Sequence, residues 1–567
     1  MDNQRLLVWA FFGMLAWMTY QAWMSDYGPN AAGAVAETAA PEAQQPEAGL
    51  PQLTDTLIDA PDVLPAVDAP DATDATRDRL TAPVIYVETD VLRIEISTQG
   101  GTLQRAVVLG YPRAKDRPDD LVELLSTDAG DIGLIQSGLR ALGDRPEPNH
   151  RATFTSTRSN YSLGGRAELV VPLSWSDGAG IRVEKRYRFT PGSYTIVLEQ
   201  QVINDSDADW RGAEYVQIQR RSFDQERSMF DTDTYSSDGP IIYDGDKAEK
   251  LKRDDLQDDG PYKIAADRGW VGAIQHHFVT AVIPEPGTPQ SYSVSVRGDI
   301  SIASAIGSTQ VVAPGTSKTF TTTLYVGPKL QSQLEEIDPS LKLTVDYGWL
   351  TILSQPLFWL LNKAFGLFGN WGVAIIAVTI LIKAAFYKLT ESSGRSMAKM
   401  RNLQPRIKAL QERYKDDRQQ LSQSMMELYK REKVNPAAGC LPILIQMPFF
   451  LAFYWVLLES VEMRQAPFAL WLTDLSSRDP LFILPLIMGA AMFFQQKLNP
   501  QVGDPIQAKV MQVMPIMFTA FFAFFPSGLV LYWVTNTLLS IAQQWNINKV
   551  VEAEAKQNKG GKKSKPS

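Results

Sequence analysis

The sequence predicts a polytopic α-helical membrane protein that carries a large antiparallel β domain. Two observations support this fold class. From about residue 25 to 347 the chain is acidic, polar and rich in Gly and Pro, whereas from Trp349 onward it consists of long apolar runs separated by basic loops. The hydrophobic content of 45% and the net charge of -8 average over these unlike halves. Only the local charges are therefore informative about partners.

The first apolar segment, Leu6 to Met24, is long enough to span a bilayer. The sequence AGAVA at 32–36 would also suit the cleavage site of a signal peptide. The apolar run is longer than a usual signal core, which favours an uncleaved anchor over 1–25. The segment that follows is rich in Ala, Pro and Asp and has no period, so we interpret 26–82 as a flexible tether.

Short runs of alternating polarity begin at about Pro83. Examples are VIYVET, LRIEIST, RVEKRYRF, YSVSVRG and KTFTTTLYVG, each closed by turn residues. Alternation with period 2 is typical of strands with one buried face. We interpret 83–340 as a large antiparallel β-sandwich.

The segment 341–370 has apolar and aromatic residues on most faces but contains Pro356, Asn362 and Lys363. It is more typical of a helix lying along the membrane surface than of a span. Further spans are predicted over 371–389, 437–462, 480–497, 510–525 and 526–546, the last two separated by FPSG at 525–528. With the anchor these make six transmembrane helices. An even number of spans places both termini on the same side.

Lys and Arg indicate which side that is. The loop from Lys388 to Lys433 carries twelve of them, and the tail 547–567 is also basic. Both belong in the cytoplasm, which sends the β domain and the loop 463–479 to the opposite face and returns the loop 498–509 to the cytoplasm. Arg464 and Arg478 go against this rule.

The basic loop 390–436 also has helical periodicity. Apolar residues at 397, 400, 403, 407, 410 and 414, and again at 421, 425 and 428, predict an antiparallel helical hairpin with a narrow apolar seam. Its charged exterior is explained first by a solvated connector; the alternative, supported by the second basic element in the tail, is a surface that binds ribosomal RNA or lipid headgroups. The candidate contact residues for a ribosome or nascent chain are Arg401, Arg406, Lys408, Arg413, Lys562 and Lys563.

Polar residues form rows within the predicted spans. Thr379, Lys383 and Tyr387 are spaced i, i+4, i+8, so they share one helix face. Tyr532, Asn536 and Ser540 repeat the spacing, and Gln446 and Thr519 add single polar groups in other spans. Polar groups in hydrocarbon should face the bundle interior. Taken singly, the hydroxyls and amides are also explained as interhelical hydrogen-bonding groups.

Lys383 is the one cation in these rows. It lies six residues, roughly 9 Å, from the cytoplasmic end of its span, so snorkelling to the headgroups is one interpretation. The other follows from the expectation that the spans offer no Asp or Glu to neutralise it. An inward-facing cation without an acidic partner implies water, so we expect a wet, positively charged cavity open to the cytoplasm.

Long motifs in the second half resemble a known family. Six of these motifs occur in order along the chain: VDYGWL, NWGVAIIAVTI, SMAKMRNLQPRIKALQERY, KVNPAAGCLPILIQMPFFLAFYWVL, VEMRQAPFALWLTDLS and FPSGLVLYWVTNTL. They closely resemble the YidC membrane protein insertases of Gram-negative bacteria. VLRIEISTQGGTLQRAVVL extends the likeness into the β domain. The resemblance implies a five-helix insertase core, a periplasmic β-supersandwich similar to sugar-mutarotase folds, and an inner-membrane location with both termini cytoplasmic.

The same resemblance implies an insertase and chaperone that works without a covalent reaction. Its hydrophilic groove, open to cytoplasm and lipid, carries one positive residue at the position of Lys383, where the family more commonly has arginine. Lysine is a point charge, so we expect simple attraction of an acidic segment and not an obligatory bidentate contact. The expected groove residues are Lys383, Thr379, Tyr387, Gln446, Thr519, Tyr532, Trp533 and Asn536.

We expect a substrate helix to be buried along a hydrophobic slide formed by Phe450, Phe453 and Phe521. The expected partners are nascent integral membrane proteins, the Sec translocon (SecYEG and SecDF), the ribosome and membrane lipids, with no small-molecule substrate. A small-solute transporter is the main alternative, but no internal repeat supports it. A sugar-binding or mutarotase enzyme is another, and its only acid/base candidates are the adjacent His276 and His277 and the distant His150.

Other chemistry has little support in the sequence. The chain has one cysteine, Cys440, and three histidines. That excludes a disulfide within one chain and leaves too few ligands for a Cys/His zinc site. The sequence lacks a P-loop, a dinucleotide fingerprint and GxSxG. We therefore expect no metal, no cofactor and no catalytic residue.

Overall fold

A computed structural model describes residues 82–561, except 144–145, 222–237, 288, 346, 415–416, 433–440 and 499–504. The predicted anchor 1–25, nearly all of the predicted tether and the tail residues Lys562 and Lys563 lie outside the described residues. The chain forms two compact units, one made mainly of strands and one made mainly of the helices that follow Tyr347. Each unit is described by itself below.

The strand-rich unit contains nineteen strands in the described residues. In chain order they are β1 (Val84–Glu88), β2 (Leu92–Ser97), β3 (Leu103–Ala114), β4 (Arg117–Leu125), β5 (Gly133–Ala141), β6 (Asn160–Ser162), β7 (Leu169–Ser176), β8 (Ile181–Phe189), β9 (Thr195–Asn204), β10 (Trp210–Arg221), β11 (Gly239–Tyr243), β12 (Ala248–Lys250), β13 (Tyr262–Ala266), β14 (Trp270–Gln275), β15 (Phe278–Pro284), β16 (Gln290–Arg297), β17 (Ile300–Gly307), β18 (Gln310–Val312) and β19 (Thr316–Pro328). Two short helices, α1 (Arg253–Asp258) and α2 (Gln331–Ile337), belong to the same unit.

The strands form two sheets. The larger has eleven strands in the order β13-β16-β17-β10-β5-β3-β2-β1-β6, with β18 beside β10 and β4 beside β3. The smaller has eight, in the order β12-β11-β14-β15-β19-β9-β8-β7. Neighbouring strands are antiparallel except β1 and β6, which pair in parallel. The predicted antiparallel β-sandwich is thus confirmed, with this one parallel pair as an addition.

Alternation of polarity explains the register of the smaller sheet. β8 and β9 form a hairpin in which Val183 pairs with Val202 and Tyr187 with Leu198. All four side chains are buried, because residues two apart on a strand face the same side. They join one continuous apolar core to which both sheets contribute.

A lysine is buried inside this core. Lys185 on β8 is fully enclosed, and its Nζ donates to the carbonyl oxygens of Gly100 at 2.6 Å and Ser137 at 2.7 Å. The same ammonium lies 4.7 Å from the centre of the Phe154 ring. Because burial disfavours the charged form, the pKa of Lys185 falls to about 7.

An acid with the opposite shift lies on the neighbouring sheet. Glu214 on β10 is buried, and its Oε2 accepts a hydrogen bond from Oγ1 of Thr322 at 3.3 Å. Burial raises the pKa of Glu214 to about 8. The core therefore contains two groups whose protonation differs between folded and unfolded chains near neutral pH.

These two groups predict a stability minimum near pH 7 to 8. Between pH 4.5 and about 8 the folded Glu214 holds a proton that the unfolded chain has lost, so stability falls as pH rises. Between about 7 and 10.5 the unfolded chain holds a proton that the folded Lys185 lacks, so stability rises with pH. Each slope is at most about 1.4 kcal/mol per pH unit. Pulse proteolysis of the full chain in urea at several pH values measures both.

The two slopes separate in variants. Lys185→Met should reduce the rise above pH 8 and leave the fall below it unchanged. Glu214→Gln, which imitates the protonated acid, should reduce the fall and leave the rise unchanged. Equal pH profiles for wild type and both variants would show that neither group titrates in the core.

The second unit consists of helices. After 3-10 turns at Pro339–Thr344, which belongs to the strand-rich unit, and Gly348–Leu350, the helices are α3 (Thr351–Phe368), α4 (Trp371–Ala385), α5 (Tyr387–Arg413), α6 (Arg418–Arg431), α7 (Leu441–Glu459), α8 (Ile483–Leu498), α9 (Pro505–Phe522) and α10 (Ser527–Gly561). A third 3-10 turn, Val461–Met463, follows α7.

The first predicted span of this unit is broken. α4 ends at Ala385, and α5 leaves it at an angle of 68°. The ring of Phe386 at the break packs edge-on against Phe449 of α7, with centroids 5.2 Å apart. The prediction of one helix over 371–389 was therefore wrong in its last turn, since the chain bends at Phe386.

Helix length and apolarity together identify one candidate membrane span in the described residues, the bent pair α4 and α5. No individual helix there meets both criteria for crossing a bilayer, and α4 with α5 meets them only as the bent pair. Shorter apolar stretches occur at Ile445–Glu459, Ile483–Leu498 and Gln512–Phe522.

The start of α10 is fixed by a loop. FPSG forms the predicted turn, since α9 ends at Phe522 and α10 begins at Ser527. The backbone N–H of Ser527 donates to the carbonyl of Ser477 at 2.7 Å, and its Oγ donates to the carbonyl of Asp474, also at 2.7 Å. The buried Asp479 accepts the backbone N–H of Leu484 at 2.7 Å, which caps α8. One loop therefore holds the first turns of both helices.

Candidate functional site

The basic hairpin has the predicted apolar seam. Met400, Leu403 and Ile407 of α5 pack against Leu428 and Tyr429 of α6, and all five are buried. The 3-4 spacing places them on one helix face, so charged residues are left for the other. The predicted helical hairpin is confirmed within the described residues.

The last helix supports this hairpin. The prediction ended the sixth span at 546 and left a basic tail, but α10 continues as a helix to Gly561. Ile547 and Val551 of α10 form a buried cluster with Ala398 of α5. Gly394 allows this approach, because a Cβ there would lie 2.7 Å from Cδ1 of Ile547. The apolar residues 547 and 551, four apart, were the sequence signal for this longer helix.

Lys383 lies inside the helical unit. Its side chain is 9% exposed, and its Nζ donates to Oγ of Ser540 on α10 at 2.8 Å. That hydroxyl in turn donates to the carbonyl of Asn536, also on α10, at 2.7 Å. In the described part of the chain, no carboxylate forms an ion pair with this ammonium. The last turn of α4 and the middle of α10 thus meet at a hydrogen-bonded cation.

One premise of the sequence prediction was wrong. Glu459 is an acid inside the predicted third span, at the end of α7, and its side chain is buried. It does not pair with Lys383. The cation therefore has a hydroxyl, and no described acid, as its polar partner.

The two neighbours of Lys383 in its predicted row have different positions: Thr379 lies one turn away on α4, and Tyr387 lies beyond the break. Thr379 is buried, and its Oγ1 donates to the carbonyl of Ile375 at 2.6 Å on the same helix. Tyr387 lies beyond the break, is 41% exposed, and accepts through its carbonyl from Nε2 of Gln543 at 3.2 Å. The continuous three-residue face expected from the spacing was therefore wrong, because the helix bends between Lys383 and Tyr387.

An aromatic cluster occupies the centre of the unit. Tyr532 stacks on Phe453 with ring centroids 4.5 Å apart. Trp533 packs edge-on against Phe450 at 4.7 Å and contacts Phe522 at 5.3 Å. Aromatic pairs at these separations add favourable energy beyond area burial. The cluster brings together α7, α9 and α10.

The three residues of the predicted slide have unlike environments. Phe453 is completely buried and Phe450 half-buried, whereas Phe521 is 48% exposed. The prediction of a shared accessible surface was wrong for Phe453, because Tyr532 covers its ring. The exposed apolar surface of α9 consists instead of Phe521 with Val513, Ile516 and Met517.

Thr519 marks a close helix contact. Its Oγ1 donates to the carbonyl of Pro515 at 2.7 Å, and a Cβ at Gly489 of α8 would collide with the same oxygen. Glycine at 489 therefore permits α8 and α9 to touch. Gln446 and Asn536 are half-buried on α7 and α10.

Four of the six candidate ribosome-contacting residues lie on α5 of the hairpin, and the other two, Lys562 and Lys563, lie outside the described residues. Arg401, Lys408 and Arg413 are exposed. Arg406 is also exposed, and its guanidinium forms an ion pair with Glu432 at 2.7 Å. Three of these cations are therefore available at the surface. Ser540, which the sequence placed in a polar row but which was left out of the predicted groove, is the direct partner of Lys383.

A two-sheet β unit is followed in sequence by a helical unit whose described residues include one buried lysine, Lys383. Residues 362–555 match the family described as 60Kd inner membrane protein, and residues 84–360 match the YidC periplasmic domain. The chain therefore belongs to the YidC family of membrane protein insertases and is a bacterial inner-membrane protein.

Relatives along the whole chain carry the same name. The Membrane protein insertase YidC of Methylococcus capsulatus is 47% identical over 97% of this chain and 99% of its own length. That of Thioalkalivibrio sulfidiphilus is 45% identical over 98% of this chain and 100% of its own. A solved structure titled "Active YidC insertase crystal structure with the first transmembrane domain resolved" is 18% identical over 83% of this chain and 96% of its own, with a TM-score of 0.38. A score that low adds nothing to the family membership.

The contact at Gly489 predicts a destabilised variant. Gly489→Ala should lower the free energy of unfolding by about 1–3 kcal/mol, because the added methyl group overpacks the interface with Thr519. Thermal denaturation of the full chain in detergent measures this. Gly366→Ala is the matched control, since among the described residues nothing lies within 4 Å of a Cβ at Gly366 of α3, and it should be neutral or stabilising. Adding Thr519→Ala to the Gly489→Ala variant should recover part of the lost stability. Equal stability of the Gly489→Ala and Gly366→Ala variants would contradict the helix contact.

Proposed function

We propose that the helical unit inserts membrane proteins by drawing the hydrophilic segment of a substrate toward Lys383. The observation that carries this proposal is a buried ammonium whose described polar partner is the hydroxyl of Ser540. A largely buried cation without a paired acid retains more of its field than one at the surface, even where some water reaches it. An acidic segment of a substrate is the natural counter-charge.

The hydroxyl of Ser540 is a weak partner for the Lys383 ammonium because it is uncharged. A neutral hydroxyl satisfies one of the three N–H donors of Lys383 but does not neutralise its charge. An entering carboxylate can replace or join Ser540 and gains a charge-assisted hydrogen bond. Lysine presents a compact charge rather than a planar fork, so recognition is of charge and not of a specific geometry. No covalent step is required.

The proposed topology has six spans, with both termini in the cytoplasm and the β unit in the periplasm. Its support is the basic hairpin α5–α6 together with the basic tail, since Lys and Arg concentrate on the cytoplasmic side. The helices α4, α7, α8, α9 and the first half of α10 form the five-helix core. In this orientation Lys383 and Ser540 lie toward the cytoplasmic end of their helices, where water reaches the bundle.

We propose the exposed face of α9 as the surface along which a substrate helix leaves. This face contains four apolar residues separated by four, one and three positions: Phe521, Met517, Ile516 and Val513. Each of them is 48% exposed or more. Transfer of a substrate's apolar helix from water to this surface and then to lipid is favourable by about 25 cal/mol per Å² of apolar area. That transfer supplies the driving force.

The hairpin receives the substrate. Its exposed Arg401, Lys408 and Arg413 suit the phosphates of ribosomal RNA. The hairpin is connected to the core through Gly394, Ile547 and Val551, so a ribosome bound there is near the Lys383 site. Nascent membrane proteins are the proposed substrates, and the Sec translocon, including SecYEG and SecDF, is a proposed partner for some of them.

Lys383 variants test the central step. In cells depleted of the native insertase, Lys383→Ala should lower insertion of a substrate with an acidic hydrophilic segment at least about tenfold, since loss of 1.4 kcal/mol changes an equilibrium tenfold. Lys383→Glu should be worse because it repels the segment. Lys383→Arg should retain most activity because the charge remains. Insertion is measured by protease protection of the translocated segment.

Ser540→Ala is the matched control. It removes the hydrogen bond to Lys383 and leaves the charge, so insertion should change less than twofold. A Lys383→Ala variant that inserts the substrate as well as wild type would contradict the groove-charge role and leave snorkelling as the explanation of this lysine.

A second test addresses the hairpin. Changing Arg401, Arg406, Lys408 and Arg413 together to Gln should weaken ribosome binding and reduce the slope of log affinity against log salt by about 3, because roughly one unit is lost per free phosphate contact. Arg406 contributes less since Glu432 pairs with it. Binding of purified ribosomes to the full chain in nanodiscs at several salt concentrations measures the slope.

The control makes the same change in charge on exposed residues of the β unit: Arg158, Arg166, Lys263 and Lys318. It should leave the affinity and the salt slope unchanged. Equal losses in the two variants would mean that net charge, and not the hairpin face, determines ribosome binding.

A further inference from the structure

An apolar groove of about 570 Å³ lies between α8 and α10 on the surface of the helical unit. Its walls are formed by aliphatic and aromatic side chains, and several of them are more than 40% exposed. The residues that form its long walls are Ile487, Ala490, Ala491, Phe494, Leu538 and Ile541. The groove takes no part in the aromatic cluster or in the Lys383 site described above.

The two helices that form the groove run in the same direction. The backbone N–H of Ser527, the first residue of α10, donates to the carbonyl of Ser477 just before α8, and Arg478 forms a β-bridge with Pro526. Both helices therefore begin at one end, and their later residues share the other. On the α8 side the groove extends from Ile487 to Leu498, about 16 Å at 1.5 Å per residue. One leaflet of hydrocarbon is about as deep, at roughly 15 Å.

Two cations lie at the far end of this groove. Lys497 is one of its lining residues, and its Nζ lies 4.6 Å from the centre of the Phe493 ring. Trp545 lines the same end, and the Nζ of Lys549 lies 3.4 Å from the centre of its ring. Both lysines are exposed, and in the described part of the chain neither forms an ion pair. The Trp545 ring, which lines the groove, holds the ammonium of Lys549 near its end, and neither ring neutralises the charge that it contacts.

We propose that this groove binds one phospholipid with an anionic headgroup. An acyl chain fits along the apolar walls, whose length matches one leaflet, and the phosphate lies between Lys497 and Lys549. The exposed indole of Trp545 suits the boundary between hydrocarbon and headgroups. The site rests on the proposed topology, which places both lysines at the cytoplasmic leaflet, where anionic lipids attract basic residues.

The two lysines favour an anionic lipid over other possible occupants of the groove. The transmembrane helix of a substrate, or a second copy of this chain, would fill the apolar walls but would gain nothing from two unpaired cations at one end. A zwitterionic lipid would gain less than an anionic one, because its headgroup carries its own cation. An anionic lipid uses both the walls and the lysines.

Native mass spectrometry of the full chain tests this proposal. The chain is released from micelles that contain equal amounts of phosphatidylglycerol and phosphatidylcholine, with no substrate present. Wild type should retain one phosphatidylglycerol in about tenfold preference to phosphatidylcholine. The double variant Lys497→Gln/Lys549→Gln should lose that preference, and Ala490→Trp, which fills the groove, should lose retention of both lipids.

Two controls complete the test. Lys388→Gln/Lys399→Gln makes the same charge change on exposed lysines of α5 and should keep the preference. Lys383→Ala should also keep it, so a failed insertion mechanism and a failed lipid site give different results. The proposal is overturned if wild type shows no preference, or if either control loses as much as the groove variants. It is also overturned if a photo-crosslinker at position 490 captures a polypeptide in membranes in place of lipid.

Discussion

A buried ammonium held by a hydroxyl is the constraint around which the helical unit is arranged. Removing a lysine from water costs several kcal/mol unless a partner compensates, and Ser540 compensates only in part. Such a group persists when the surrounding packing holds it in place. α10, which carries Ser540, is correspondingly well fixed along its length.

Three kinds of contact provide that fixation. The loop that contains Asp474 and Asp479 holds the first turns of α8 and α10 through its carbonyls and a carboxylate. The aromatic cluster around Tyr532 joins α7 and α9 to α10. The extension of α10 beyond residue 546 then packs against α5. One long helix thus contacts the core, the cation and the hairpin, which gives the proposed ribosome surface a direct structural connection to Lys383.

Much of this arrangement was predictable because the patterns are local. Alternation gave the strands of the β unit, and the 3-4 spacing of Met400, Leu403 and Ile407 gave the hairpin seam. The break at Phe386 was not predictable, since no Pro or Gly marks it and the ring that Phe386 contacts there, Phe449, lies far away in sequence. The burial of Phe453 was equally hidden, because an apolar helix has no pattern that separates a core face from a lipid face. Lys185 lies in a strand that contains several charged residues. It is buried because its position in the alternation places its side chain on the core face of β8, which its residue type does not indicate.

Access of water to Lys383 is the most direct test of this account. Lys383→Cys, in a Cys440→Ala background without other thiols, should react with a membrane-impermeant thiol reagent added from the cytoplasmic side. Thr379→Cys, one turn further from the cytoplasmic end and buried, should react far more slowly. If position 383 proves no more reactive than position 379, the cation is sealed from water and the proposed groove does not exist.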